Sequence, residues 1–100
     1  MSHVAVGLDD SPTAAGSVAL TTEISRKPLQ SVNVVTNTIT YTAKWFGGEL
    51  SGQNIGEVGL FNAAANGEMF ARVYIPGGTL IGPSDGYEVT WTFTVTFKEI

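Results

Sequence analysis

One hundred residues, 43% of them hydrophobic and 14% charged, describe an ordered chain with one modest core and no room for a second domain. A net charge of −4, with only five Lys and Arg scattered along the chain, argues against a nucleic-acid footprint, because neutralising phosphates takes clustered cations. The absence of cysteine excludes disulfides and thiolate metal sites. No apolar run approaches the roughly 18 residues of a membrane helix, and the first residues lack the order of a secretion signal, so residues 1–100 are expected to form a single soluble β domain made in a cytoplasm.

Met1 to Gly7 alternates Val4 and Val6 against His3 and Ala5 and reads as a short first strand. Leu8 to Ser17, with Asp9, Asp10, Ser11, Pro12 and Gly16, has the composition of an irregular loop and is expected to be the most mobile surface. A helical turn can start at Ser11-Pro12, since Ser caps and Pro tolerates the first helical position, but Gly16 and the β-branched residues beyond it stop it early. Val18 to Ile24 fits a helix through Leu20 and Ile24 and a strand face through Val18, Leu20, Thr22 and Ile24; the extended reading is favoured. Pro28 disfavours helix at Lys27 and cannot donate to a ladder, so the chain bends there or follows a sheet edge.

Val32 and Val34 then alternate with Ser31, Asn33 and Val35, and after Thr36-Asn37 the pattern resumes with Ile39, Tyr41, Ala43 and Trp45. Two alternating runs joined by a polar pair predict a hairpin. Gly47-Gly48 breaks the second run, and Glu49 to Asn54 is a polar connection. Ile55 to Asn62 and Glu68 to Ile75 form a second hairpin around Asn66-Gly67, which supplies positive φ cheaply, with Pro76-Gly77-Gly78 ending its second arm. After a last turn at Gly82 to Gly86 comes the strongest pattern in the chain, Tyr87, Val89, Trp91, Phe93, Val95 and Phe97 at every second position, with threonines between. That pattern specifies a strand with one oily and one wet face, around which the rest of the chain is expected to be organised. The expected fold is all-β, a single-domain antiparallel β-sandwich or small barrel with hairpin or Greek-key connections, whose core includes Tyr41, Trp45, Trp91, Phe93, Val95 and Phe97.

Few residues suggest chemistry. His3 is the only histidine and lies in a short first strand, far from the positioned base that nucleophilic catalysis needs. Asp9, Asp10 and Asp85 could offer oxygens to a hard cation, but the regular ligand alternation of a calcium loop is missing, and the glycine pairs precede no helix that could cradle a phosphate. No catalysis, cofactor or metal is expected. Trp45, Tyr74 and Trp91 could instead form an exposed stacking platform, which makes a carbohydrate-binding module the alternative function. Glu57 is the charge of most interest. It shares a strand face with Ile55 and Gly59 if the pairing is regular, and a carboxylate shielded by such neighbours needs a partner. Arg26 and Arg72 are the only arginines, so the expectation is a structural ion pair of Glu57 with one or both, fixing register rather than performing catalysis.

The strings Glu23-Ile24-Ser25-Arg26-Lys27, Tyr41-Thr42-Ala43 leading to Gly48-Glu49, Ile55-Gly56-Glu57-Val58-Gly59-Leu60-Phe61-Asn62-Ala63, Gly67-Glu68-Met69-Phe70-Ala71-Arg72 and Val89-Thr90-Trp91-Thr92-Phe93 together resemble a family of small tailed-bacteriophage structural proteins. The resemblance runs from about Val4 to the end of the chain, although family members often carry a longer segment before the opening His3-Val4-Ala5-Val6-Gly7. It implies a non-enzymatic virion component, made in the host bacterial cytoplasm, that binds other virion proteins as a tail, fibre, neck or capsid-decoration protein. It also implies self-association, as a trimer or within a ring. The absence of a nucleic-acid or membrane partner is expected instead from the scattered cations and the lack of a long apolar run.

Overall fold

Alternating apolar residues and turn chemistry dictate most of the local structure. A computed structural model describes residues 1–13 and 16–94, and among these the chain forms seven strands and no helix. They are β1 (His3–Gly7), β2 (Glu23–Pro28), β3 (Ser31–Val35), β4 (Thr38–Trp45), β5 (Asn54–Phe61), β6 (Met69–Leu80) and β7 (Tyr87–Thr94). One antiparallel sheet has the order β2-β1-β5-β6 and the other β3-β4-β7. Val4, Val6, Val58 and Leu60 of the first sheet pack with Ala43 and Trp45 of the second, and Leu50, Ile55 and Ile81 complete the core. The fold is therefore an antiparallel β-sandwich, with two separate sheets rather than a closed barrel.

Both predicted hairpins form. β3 and β4 pair from Ser31↔Thr42 to Val35↔Thr38 around Thr36-Asn37, where Thr36 adopts a φ of 54°, an unusual conformation for a β-branched residue. In the β5–β6 hairpin the turn residues Asn66 and Gly67 have φ of 54° and 70°. Pro28 does both things open to it. β2 is an edge strand, and immediately after it the chain changes sheets, with the Leu29 amide bonded to the Ser2 carbonyl and the Gln30 amide to that of Thr42.

Three expectations need correction. Pro76-Gly77-Gly78 does not end its strand, because β6 absorbs these residues in a bulge between the pairs Ile55↔Thr79 and Glu57↔Tyr74 and continues to Leu80. Proline is tolerated there because β6 is an edge. The same irregularity places Ile55 in the inter-sheet core with Val58 and Leu60, so it does not share the face of Glu57. Nor is the most strongly patterned strand the centre of the molecule. β7 lies at an edge with its apolar side chains half-buried, whereas seven of the eight residues of β5 are buried. Of the expected core residues, Trp45 is buried, and Tyr41, Trp91 and Phe93 are half-buried against the core cluster. Val95 and Phe97 lie outside the described residues.

Candidate functional site

The outer face of the first sheet, directed away from the second, collects the charges that the sequence singled out. Pairing places Arg26 of β2 beside Ala5 of β1, Ala5 beside Gly59 of β5, and Gly59 beside Arg72 of β6, so that one cross-strand row has an arginine at each end and two small residues between. Leu20 packs over the middle with Ala5 and Phe61, forming a small second core beneath the long β1–β2 loop. Two glycines make room for that loop. A Cβ on Gly56 would stand 2.8–2.9 Å from the backbone of Leu8, Asp9 and Asp10, and one on Gly7 would strike the Glu57 carboxylate and the Thr22 carbonyl.

Glu57 is completely buried on this face, directly opposite Gly7 in the pairing of β1 with β5. Its Oε1 accepts hydrogen bonds from the Thr21 amide at 2.9 Å and from Arg72 Nε at 3.1 Å. Oε2 accepts from the Thr22 amide at 2.7 Å and the Asp9 amide at 3.3 Å. A carboxylate has about four lone-pair sites, and all are engaged. Arg72 is equally committed. Besides Glu57, it donates to the Ser11 carbonyl and Thr13 Oγ1, each at 2.9 Å, and to the Asp9 carbonyl and Oδ2 at 3.4 and 3.1 Å. Its guanidinium thus reaches five acceptors, the full donor capacity of the group. The arrangement can hold a loop against a sheet, but it leaves neither a lone pair nor an N–H for a substrate.

Arg26 does not join Glu57. It grips Glu23 bidentately, Nη2 to Oε1 at 2.7 Å and Nε to Oε2 at 3.0 Å, and donates Nη1 to the carbonyls of Ala63 and Asn66, both at 2.9 Å. Its guanidinium carbon lies 3.8 Å from the centroid of the Phe61 ring. The reason is positional. Arg26 and Glu57 are separated by the whole width of β1, and the β5–β6 turn brings its carbonyls to Arg26 instead. Each arginine therefore staples one connection to the same sheet face, Arg72 the β1–β2 loop and Arg26 the β5–β6 turn.

The other residues read from the sequence are dispersed. His3 Nδ1 lies 2.7 Å from the neighbouring Ser2 Oγ. Asp9 is engaged with Arg72, and Asp10 Oδ2 accepts from the Gly77 amide at 3.2 Å, so both carboxylates point at β6, and the first part of the loop expected to be the most mobile is tied to that strand through Asp9, Asp10, Ser11 and Thr13. Among the described residues, no three His, Asp or Glu side chains gather where a metal could sit. The three aromatics form no common platform. Trp45 is buried and donates Nε1 to Ser25 Oγ at 2.8 Å, Trp91 lies on the inter-sheet face, and Tyr74 belongs to the other sheet.

Sequence reading missed the amides of Asp9, Thr21 and Thr22 and the lid residue Leu20. Backbone amides carry no sequence signature. The available signal was glycine within apolar alternating runs, at Gly7 and Gly56, which marks a close approach by other backbone. No family model, curated protein or solved structure matches the chain.

Proposed function

We propose that this chain is a non-enzymatic structural component of a tailed-bacteriophage particle, binding other particle proteins as a tail, fibre, neck or capsid-decoration subunit and associating with copies of itself. The single observation that carries the non-enzymatic reading is the saturation of Glu57 and Arg72: this buried charge cluster is occupied by the chain's own backbone and side chains. The phage assignment rests on the strings around Glu57, Arg72 and Trp91 that resemble the family. A sandwich with an exposed β3 and exposed threonines along β7 suits a subunit whose work is contact, since exposed strand edges and polar faces are what such proteins offer to neighbours.

Cryo-electron microscopy of the virion encoded alongside this gene tests the proposal. Density for the sandwich on the capsid lattice would make the chain a decoration protein, and density at the neck, tail or fibre would make it an adaptor or adhesion subunit. If the chain is absent from purified particles, the proposal fails.

A further inference from the structure

Among the described residues, four strands form the edges of the two sheets, and three of them are guarded. β2 carries Glu23, Arg26, Lys27 and Pro28, with Lys27 bridged to Glu49. β6 contains Pro76 and two register breaks against β5. β7 has its apolar side chains turned into the sandwich, and its Glu88 pairs with Lys44. β3 has none of these protections: Ser-Val-Asn-Val-Val has no charge and no proline, and its register against β4 is unbroken. All five residues are exposed, with Val32, Val34 and Val35 at 53%, 64% and 60%. An uncharged, regular and apolar edge of this kind is a template for another strand.

We propose that β3 is a docking edge for a second copy of this chain, joined antiparallel to its counterpart across a two-fold axis at Asn33. The occupant follows from the strand itself, because β3 is complementary to its own reverse. In that register Val32 faces the partner copy's Val34, Val34 faces the partner copy's Val32, and Asn33 faces itself. The amide of asparagine both donates and accepts, so the central pair can bond reciprocally. Hydrogen-bonding direction alternates along an antiparallel strand, which leaves free N–H and C=O groups on the outer side of β3 for the partner to complete.

The apolar ranks continue across the same axis. Val32 stands in line with Tyr41 and Trp91, and Val34 with Ile39 and Phe93. Pairing Val32 with the partner copy's Val34 joins the first rank of one copy to the second rank of the other, giving a six-stranded sheet from β7 to β7. A two-fold contact of this sort is isologous and closed, unlike the trimer or ring implied by the family resemblance. The inference deepens the self-association within the proposed function, but its test uses only the purified chain.

The chain has no cysteine, so single-thiol variants report cleanly. Analytical ultracentrifugation of the unmodified chain should show a dimer, and Val34→Lys should abolish it while leaving the circular dichroism spectrum intact. Within that dimer Asn33→Cys should cross-link on mild oxidation at a rate independent of protein concentration. Thr92→Cys, on the same face but on β7, should cross-link only by random encounter. A monomeric unmodified chain would overturn the inference, as would a trimer or larger assembly that survives Val34→Lys, or Thr92→Cys cross-linking as readily as Asn33→Cys. Absence from virions with an intact β3 dimer would sink the proposed function and leave this contact standing; a monomer found on the particle would do the reverse.

Discussion

The outer faces of the two sheets solve the same problem in opposite ways. On the first sheet, the β1–β2 loop and the β5–β6 turn are laid over the strands and fastened by arginines, and Glu57 is taken entirely out of water. On the second, the half-buried Thr38, Thr40 and Thr42 of β4 stand directly beside the exposed Thr94, Thr92 and Thr90 of β7. The roofed face can bury charge only because every donor and acceptor is matched; among the described residues, no buried side-chain polar atom lacks a partner. The bare face needs no such matching, because water satisfies its hydroxyls. Substitutions should therefore be costly on the first face and nearly silent on the second.

Breaking the carboxylate should have the largest effect. Glu57→Ala leaves three amides without acceptors and Arg72 short of one, and the loss of one partner of a buried ion pair costs about 3–5 kcal/mol. Denaturant unfolding should show this loss. Limited proteolysis should show earlier cleavage in the β1–β2 loop, whereas unchanged stability would mean that the loop is held by Arg72 and Asp9 alone. Arg26→Ala removes a bidentate pair with the more exposed Glu23 together with two carbonyl bonds, and charge-assisted bonds of this kind contribute about 1.5–3 kcal/mol. Its effect should be smaller than that of Glu57→Ala and should loosen the β5–β6 turn rather than the β1–β2 loop.

The second sheet should respond only through its inner face. Burial holds the Tyr87 phenol above its ordinary value of 10.0, because the folded state disfavours the phenolate. The resulting stability is fully present below pH 10 and is lost as pH rises through the raised value. Tyr87→Phe should flatten this alkaline limb in a series of unfolding curves, and a limb that persists would belong to another group. The smallest effect is expected at Thr92→Val on the bare face, within about ±0.5 kcal/mol by thermal or denaturant unfolding. A substantial loss there would show that the threonine ranks are structural and not merely solvated.

Alternation made the second sheet legible and the first obscure. β4 and β7 each have one wet face, so their residues announce both the strand and the side that faces the core. β5 is buried on both faces, one against the other sheet and one beneath the loop, and such a strand reads as an apolar run with an unexplained glutamate. The need of Glu57 for a cation was readable, since there are two arginines in the chain, but which of them supplies it depended on strand order. Because β1 separates β2 from β5, Arg26 is kept on the far side of Ala5, while Arg72 arrives on the strand next to Glu57. Similarly, Leu50 sits in a stretch that reads as a polar connection and yet is buried in the core.

Fold class, the two hairpins and the presence of a charge that had to be paired followed from the order of residues alone, because periodicity, turn residues and the cost of a buried carboxylate act locally. Strand order, the bulge in β6 and the descent of the β1–β2 loop onto Gly7 and Gly56 emerged only on packing. These depend on contacts between residues far apart in the chain, and the amides that saturate Glu57 belong to backbone, which every sequence supplies and none advertises.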